Sequence, residues 1–303
     1  MTVVSKPLPA IQRDVPRLRD VAELFKPVTW FPPMWAFLCG AVSSAVPFDG
    51  RGRVVATGLL LTGPLVMAGS QAANDWYDRH VDALNEPNRP IPSGRIPGRW
   101  GLWLALFWSA LSLAVAATLG RWGFMATLLA LAFGWAYSMP PFRFKQNAWV
   151  GNLACGVSYE TLAWITGAAV MLGGALPGPR ILLLAVLYGI GAHGMLTLND
   201  YKAIAGDQRM GIRSLPVQLG PRRAAIVAAA TISLPQFVVV ALLYMWGMPV
   251  AGSTVAALVG IQLVMLAEFV ARPVERALWY SAIGVPFSVL GMMVCSLALR
   301  FAA

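Results

Sequence analysis

The stretch Gly69–Arg95, GSQAANDWYDRHVDALNEPNRPIPSGR, follows on an uncharged run of 21 residues, Val54–Asn74. A run of that length crosses the roughly 30 Å hydrocarbon core of a bilayer as a helix. Asn74 and Asp78 are four residues apart, Asp78 and Asp82 four, and Asp75 and Asp82 seven. A helix turning every ~3.6 residues lines all four along one face. Three unpaired carboxylates on one face repel one another. A hard divalent cation resolves that, and Mg²⁺ is commonly held by one or two carboxylates together with substrate phosphates. The pattern points to a diphosphate site at a membrane surface.

The whole chain supports a membrane setting. It has 303 residues, 58% of them hydrophobic, and a mean hydropathy of +0.65, which excludes an ordinary soluble domain. The predicted fold class is all-α: an integral membrane bundle of nine transmembrane helices around a central cavity, in two pseudo-repeated halves that each carry an Asp motif. The predicted spans are 28–48, 54–74, 101–120, 122–140, 149–171, 181–199, 224–246, 250–270 and 278–299, after a cytoplasmic tail over 1–27. The seventh and eighth share one uncharged run, divided at Trp246-Gly247-Met248-Pro249 because Gly and Pro punctuate helices.

The net charge of +10 is a matter of topology. Eighteen of the 23 basic residues fall in the tail and the even-numbered loops, and Arg51, Arg53, Arg121, Arg180 and Arg300 form the remainder. The positive-inside rule therefore sets the N-terminus and the Asp-rich loops in the cytoplasm. Nucleic acid is not an expected partner, and membrane lipids are. Cys39, Cys155 and Cys295 lie in apolar spans without metal-ligand spacing and read as small buried hydrophobes. The first 26 residues lack the apolar core of a cleavable signal, so a bacterial inner membrane is the simplest home.

Cations gather around the acidic stretch. Lys26 starts the first span, as an interfacial anchor or as a phosphate ligand. The Pro-rich loop from Asn85 to Arg95 cannot stay helical, and the guanidinium forks of Arg89 and Arg95 match phosphate oxygens. Span four ends in Tyr137-Ser138-Met139-Pro140-Pro141-Phe142-Arg143-Phe144-Lys145, where hydroxyls and cations offer further anion ligands. Glu160, beside Tyr159, sits about midway along span five, where a carboxylate normally faces a cavity or a partner. Glu268 lies close to Arg272 and reads as a local ion pair.

Span six ends in a second acidic motif, His193-Gly194-Met195-Leu196-Thr197-Leu198-Asn199-Asp200-Tyr201-Lys202-Ala203-Ile204-Ala205-Gly206-Asp207, followed by a basic loop with Arg213. Asp200 and Asp207 are seven apart, as are His193 and Asp200. His193 reads either as a satisfied structural group or as a cavity residue. Two Asn-Asp-led clusters on one predicted membrane face suggest two metal-binding sets facing one polyanion.

Asn74-Asp75-x-x-Asp78-x-x-x-Asp82 and Asp200 to Asp207, with Tyr137-Ser138 and Arg143/Lys145 between them, resemble the UbiA-type intramembrane prenyltransferases over essentially the whole chain. Trp30–Gly40, Glu86–Trp100 and Asn199–Gly220 look like the chlorophyll and bacteriochlorophyll synthases of that superfamily. The resemblance implies Mg²⁺ bridging an isoprenoid diphosphate, geranylgeranyl or phytyl, to both motifs. Asp78, Asp82, Asp200 and Asp207 would then be catalytic, with Asn74, Asp75 and Asn199 completing the metal set. Lys26, Arg89, Tyr137, Ser138, Arg143, Lys145, Lys202 and Arg213 would face the diphosphate, and Glu160, His193 and Tyr159 the acceptor cavity. Ala203 and Ala205 stand where many relatives carry acids, which thins the second metal set.

The acceptor implied by the resemblance is the propionate carboxylate of bacteriochlorophyllide, with pigment-synthesis or antenna-assembly proteins as further partners. Alternatives are a chlorophyll synthase, a quinone or haem prenyltransferase, or a different class altogether, an ion-coupled transporter or pigment scaffold. Against the transporter, the Asp clusters sit at span ends and not near the midplane.

Overall fold

The computed structural model describes residues 14–302. Among them the chain is helical without strands, apart from one isolated parallel bridge between Asn147 and Arg213. The helices are α1 (Leu18–Leu24), α2 (Phe31–Ser43), α3 (Gly52–Leu60), α4 (Ala68–Asn85), α5 (Trp100–Ala117), α6 (Arg121–Ser138), α7 (Ala148–Gly156), α8 (Leu162–Met171), α9 (Pro179–Asp200), α10 (Ile204–Met210), α11 (Leu215–Leu219), α12 (Pro221–Met245), α13 (Pro249–Ala271), α14 (Pro273–Ile283) and α15 (Val285–Phe301).

Among the described residues six stretches are long and apolar enough to cross a membrane by length and composition: Gly52–Asn85, Trp100–Ala117, Pro179–Asp200, Pro221–Met245, Pro249–Ala271 and Pro273–Phe301. The first joins α3 to α4 through a π-helical turn, Leu61–Met67, that contains Pro64. Proline has no N–H to give the preceding turn, and the widened turn leaves the Pro64 carbonyl to accept from the Trp108 indole at 2.9 Å. The other three predicted spans take different forms. The 28–48 stretch yields the 13-residue α2, bounded by a 3₁₀ turn at Pro27–Thr29 and by a left-handed residue, Ala45. The 122–140 stretch becomes the 18-residue α6. The 149–171 stretch is α7 and α8 joined by a second π turn, Val157–Thr161. The split at Gly247 holds, with α12 ending at Met245 and α13 starting at Pro249.

Small residues set how closely these helices approach, as expected where lipid supplies no hydrophobic drive between them. A Cβ on Gly40 of α2 would lie 1.9 Å from the Trp164 carbonyl oxygen, and one on Gly167 of α8 would lie 2.0 Å from the Phe37 oxygen. The α2–α8 crossing is thus backbone against backbone. Around it lie two apolar clusters: Trp164, Tyr188, Val259 and Cys295 on one side, and Phe37, Leu61, Leu131 and Met171 on the other.

The two ends of the bundle differ in chemistry. At one end Arg51 Nη1 donates to the Met171 carbonyl (2.9 Å), Arg300 Nη1 to that of Val46 (3.0 Å), and Arg180 stacks over Trp246. The opposite end carries α1, the 86–99 and 139–147 loops, and α10 with α11. There α1, inside the segment read as a tail, buries Leu24 and Phe25 against α4 and α5.

Candidate active site

The acidic face of α4 divides into two adjacent edges, each neutralised by cations from other elements. On the 75/82 edge, Lys26 Nζ donates to Asp75 Oδ1 at 2.7 Å. Arg89 Nη1 lies 3.4 Å from the same oxygen and 2.9 Å from Asp82 Oδ2. On the 74/78 edge, Lys145 forms an ion pair with Asp78. Asn74 Nδ2 donates both to Asp78 Oδ2 (3.1 Å) and to Ser138 Oγ (2.8 Å). Asp75 is only 1% exposed and its Oδ2 has no partner.

Local backbone geometry delivers the cations. Lys26 (φ 45°) and Arg143 (φ 39°) are two of the three non-glycine residues with positive φ among the described residues. That conformation is unfavourable for any residue that carries a Cβ, and surrounding structure must impose it. Arg89 follows the end of α4 at Asn85, where Pro87 and Pro90 prevent continuation and Arg89 N–H bonds the Glu86 carbonyl (3.0 Å). Burial works against the charged Arg89 guanidinium, but Glu86, Asp75 and Asp82 outweigh it and leave its pKa raised.

The second motif is brought to the first through the 139–147 loop. Arg213 N–H donates to the Gln146 carbonyl (3.0 Å) and Ala148 N–H to that of Arg213 (3.1 Å). Asn85 Nδ2, at the end of α4, reaches Met210 Sδ at the end of α10. No ion pair engages Asp200 or Asp207 among the described residues. Asp200 Oδ2 is buried without a partner, and burial raises the Asp207 carboxyl above its ordinary value. Asn199, Lys202 and Arg213 are exposed, and the half-buried Arg143 keeps an unpartnered Nε.

Beneath Asn74 opens a cavity of about 250 Å³, lined by Ser70, Gln71, Phe133, Tyr137 and Ser158 among others. A second cavity of about 360 Å³ lies between α2, the Val157–Thr161 turn, α9 and the α14–α15 junction. Cys155, Tyr159 and Leu196 line both. Tyr159 and Glu160 thus reach a cavity. His193 lines neither, and its ring packs against Trp149 with centroids 5.7 Å apart.

Arg95 departs from the anion-ligand reading. Its Nη1 donates to Asp20 (2.7 Å) and Glu23 (2.6 Å), its Nη2 to Glu23 (2.6 Å) and the Asn88 carbonyl (2.7 Å), and its Nε to Ser93 Oγ (3.2 Å). Its donors are spent tying α1 to the 86–99 loop. Glu268 pairs with Arg272 and, at 3.1 Å, with Arg276, as the sequence suggests. Sequence reasoning missed Ser70 and Gln71 at the cavity wall. The signal was two polar residues four and three positions before Asn74 on an otherwise apolar helix.

Among the described residues no three His, Cys, Asp or Glu side chains converge into a self-sufficient metal cage. The donor set still suits Mg²⁺. Buried carboxylate oxygens of Asp75 and Asp200 lack partners, and buried polar atoms without partners are rare enough to indicate a missing one. A sparse carboxylate set is what remains when substrate phosphates supply the other ligands.

The sequence profile of the UbiA prenyltransferase family matches residues 29–296. The bacteriochlorophyll synthase 33 kDa chain of Rhodobacter capsulatus is 51% identical over 291 residues, 95% of this chain and 96% of that one. Its counterpart in Cereibacter sphaeroides is 49% identical over 288 residues, covering 95% of each chain. In fold, a UbiA homolog from Archaeoglobus fulgidus, solved bound to GPP and Mg²⁺, superposes with a TM-score of 0.68 at 22% identity over 90% of this chain and 99% of that one. With its two acidic motifs at one end of a helical bundle and a family match over most of its length, the chain belongs to the UbiA prenyltransferase family.

Proposed function

We propose that the protein transfers a geranylgeranyl or phytyl group from its diphosphate to the propionate carboxylate of bacteriochlorophyllide a, forming the pigment ester and releasing diphosphate. The observation that carries the chemistry is the acidic face of α4, held by Lys26, Arg89 and Lys145 at the mouth of a cavity that mixes polar side chains with apolar ones. The likeness to bacteriochlorophyll synthases over 95% of the chain supports the acceptor.

Asn74, Asp75, Asp78, Asp82, Asn199, Asp200 and Asp207 would hold Mg²⁺, which when bound offsets charge developing on the departing diphosphate. Lys145, Lys26 and Arg89 add charge-assisted hydrogen bonds to the diphosphate oxygens. Tyr137, on the wall of the smaller cavity, and Ser138, buried behind it and accepting from Asn74, lie on the diphosphate side, and Lys202, Arg213 and Arg143 extend the cationic rim. Tyr159, on the wall shared by the two cavities, offers an aromatic face where the allylic carbon gains positive charge. Trp76 and Tyr77 are engaged elsewhere, Trp76 under Arg79 at 4.1 Å and Tyr77 against Trp135. Phe133, Ala154 and Leu196 on the cavity wall limit the water that would capture the cation. The acceptor carboxylate is ionised at neutral pH, so its oxygen attacks without a strong base.

In this reading nine helical segments span the membrane, with the acidic motifs and the N-terminus in the cytoplasm of a bacterial cell. The grouping of Arg51, Arg180 and Arg300 at the far end supports that orientation. The test is to incubate membranes containing the protein with geranylgeranyl diphosphate, Mg²⁺ and bacteriochlorophyllide or chlorophyllide, and to separate the pigments by chromatography. Esterified bacteriochlorophyll that disappears with EDTA, with Asp78→Ala and with Asp200→Ala is the expected outcome. Ester formation that survives all three refutes the metal-diphosphate site.

A further inference from the structure

We propose that the larger cavity receives the ring system of the acceptor and that Glu160 hydrogen-bonds a carbonyl on that ring; this rests on the prenyl-transfer reading above. The cavity, about 360 Å³, is walled mainly by apolar and aromatic groups, Phe31 and Trp35 from α2 and Val285 and Val289 from α15 among them. Phe31 and Trp35, both on its wall, stack with centroids 5.7 Å apart. The Trp35 indole is already spent on the Val289 carbonyl at 2.9 Å. Glu160 is different. Its Oε2 is buried without a hydrogen-bond partner, and no ion pair reaches it among the described residues.

The placement of this carboxyl follows from the π turn. A regular α-helix rotates successive side chains by about 100°, so neighbours rarely share a narrow pocket. Across Val157–Thr161 the helix widens, and the adjacent Tyr159 and Glu160 within it both line the cavity, beside Cys155 and Gly156 at the end of α7. Widened turns of this kind recur at functional sites. Two occupants compete for the space, the isoprenoid chain and the acceptor ring. An isoprenoid chain has no polar atom and would leave the carboxyl orphaned in hydrocarbon, a costly arrangement. A flat ring bearing carbonyls fits both the aromatic wall and the carboxyl, whose neutral form donates a hydrogen bond. The smaller cavity directly under Asn74 then takes the reacting end of the donor, with Tyr159 and Leu196 between the two substrates.

The experiment uses the full-length protein purified in detergent, as wild type, Glu160→Leu and Glu160→Gln. KM is measured separately for bacteriochlorophyllide and for geranylgeranyl diphosphate, and the long-wavelength absorption band of bacteriochlorophyllide is titrated with each protein without donor. Glu160→Leu is expected to raise acceptor KM about tenfold, the effect of one lost hydrogen bond, while donor KM stays within about twofold. Glu160→Gln, whose amide donates from the same place, restores acceptor KM to within about threefold. The absorption band of the bound ring shifts between wild type and Glu160→Leu, because a hydrogen bond to a conjugated carbonyl alters the transition. A rise confined to donor KM assigns the cavity to the isoprenoid chain and overturns the proposal, as does no change in either KM or in the band. If wild type binds the ring with a Glu160-dependent band but forms no ester, the cavity assignment stands and the function fails. If Glu160→Leu does not accumulate, Glu160→Met, which also lacks a donor, takes its place, with the same expected rise in acceptor KM and band shift and the same refuting pattern of a change confined to donor KM.

Discussion

Replacing Arg95 by Ala separates two readings of the 86–99 loop, phosphate ligand or strut. In the structure its guanidinium binds Asp20 and Glu23 of α1 and the Asn88 carbonyl. Glu23 is 46% exposed and Arg95 34%, so that pair contributes about 0.2–1 kcal/mol after solvent screening. The Asp20 side chain is only 9% exposed, and stranding a buried carboxylate costs about 1–3 kcal/mol. The docking of α1 should weaken by roughly 1.5–3 kcal/mol, and its local opening become about 10- to 150-fold more frequent. Hydrogen–deuterium exchange with mass spectrometry over Leu18–Lys26 reads this directly. Glu23→Gln should act in the same direction but by only about two- to fivefold. Arg95 holds the Glu23 carboxyl below its ordinary value, so the pair's contribution is complete above the usual carboxylate range. It is lost only as pH falls through the lowered value, and the exchange difference should be flat from about pH 6 to 8. Unchanged exchange in Arg95→Ala, with a raised donor KM that Glu23→Gln does not share, would refute the strut and restore the phosphate ligand.

Two further outcomes follow from the site and the ends of the bundle. Lys145→Ala and Arg89→Ala each remove a charge-assisted contact, typically ~1.5–3 kcal/mol, so steady-state kinetics should show donor KM raised or kcat lowered by about 10- to 100-fold, with acceptor affinity little changed; loss of acceptor binding at wild-type donor kinetics is the contrary result. Cysteines introduced at Ser93 and Gln208 should be labelled by an impermeant thiol reagent only from the cytoplasmic side, and one at Gly50 only from the other; labelling of all three from one side overturns the orientation.

The first motif was legible because polar residues at helical spacing are conspicuous in an apolar chain. Asn74, Asp75, Asp78 and Asp82 needed only the helix period, and the split at Gly247 needed only the sequence of punctuating residues. What escaped depends on partners distant in sequence. Nothing near Arg95 announces that Asp20 and Glu23, more than seventy residues earlier, will consume its donors. The two π turns escaped as well. Pro64 signals a disturbance without saying that the helix continues through it, and Val157–Thr161 contains no breaker. His193 was ambiguous because its helical register with Asp200 does not reveal that Trp149 covers it.

Charge balance differs between the two motifs, and that difference predicts opposite responses to neutralisation. Asp75, Asp78 and Asp82 are matched by Lys26, Arg89 and Lys145, whereas Asp200 and Asp207 are engaged by no ion pair among the described residues. Asp75→Asn strands Lys26 and weakens the hold on Arg89, and breaking a largely buried pair by removing one partner costs several kcal/mol, about 3–5 in the fully buried limit. Lys26 is 26% exposed and Arg89 27%, so screening brings the expected loss to about 1–3 kcal/mol. Asp200→Asn removes instead a buried charge with no ion-pair partner among the described residues, and in metal-free protein it should leave stability unchanged or raise it by up to about 1 kcal/mol. Thermal unfolding in detergent with EDTA therefore should lower the midpoint for Asp75→Asn and not for Asp200→Asn. Adding Mg²⁺ with an unreactive diphosphate analogue should stabilise wild type and spare neither variant its loss of that gain, since linkage rewards only a site that binds. If both substitutions lowered the metal-free midpoint equally, the second motif would already be compensated within the protein, and its unpartnered Asp200 oxygen would say nothing about a cation.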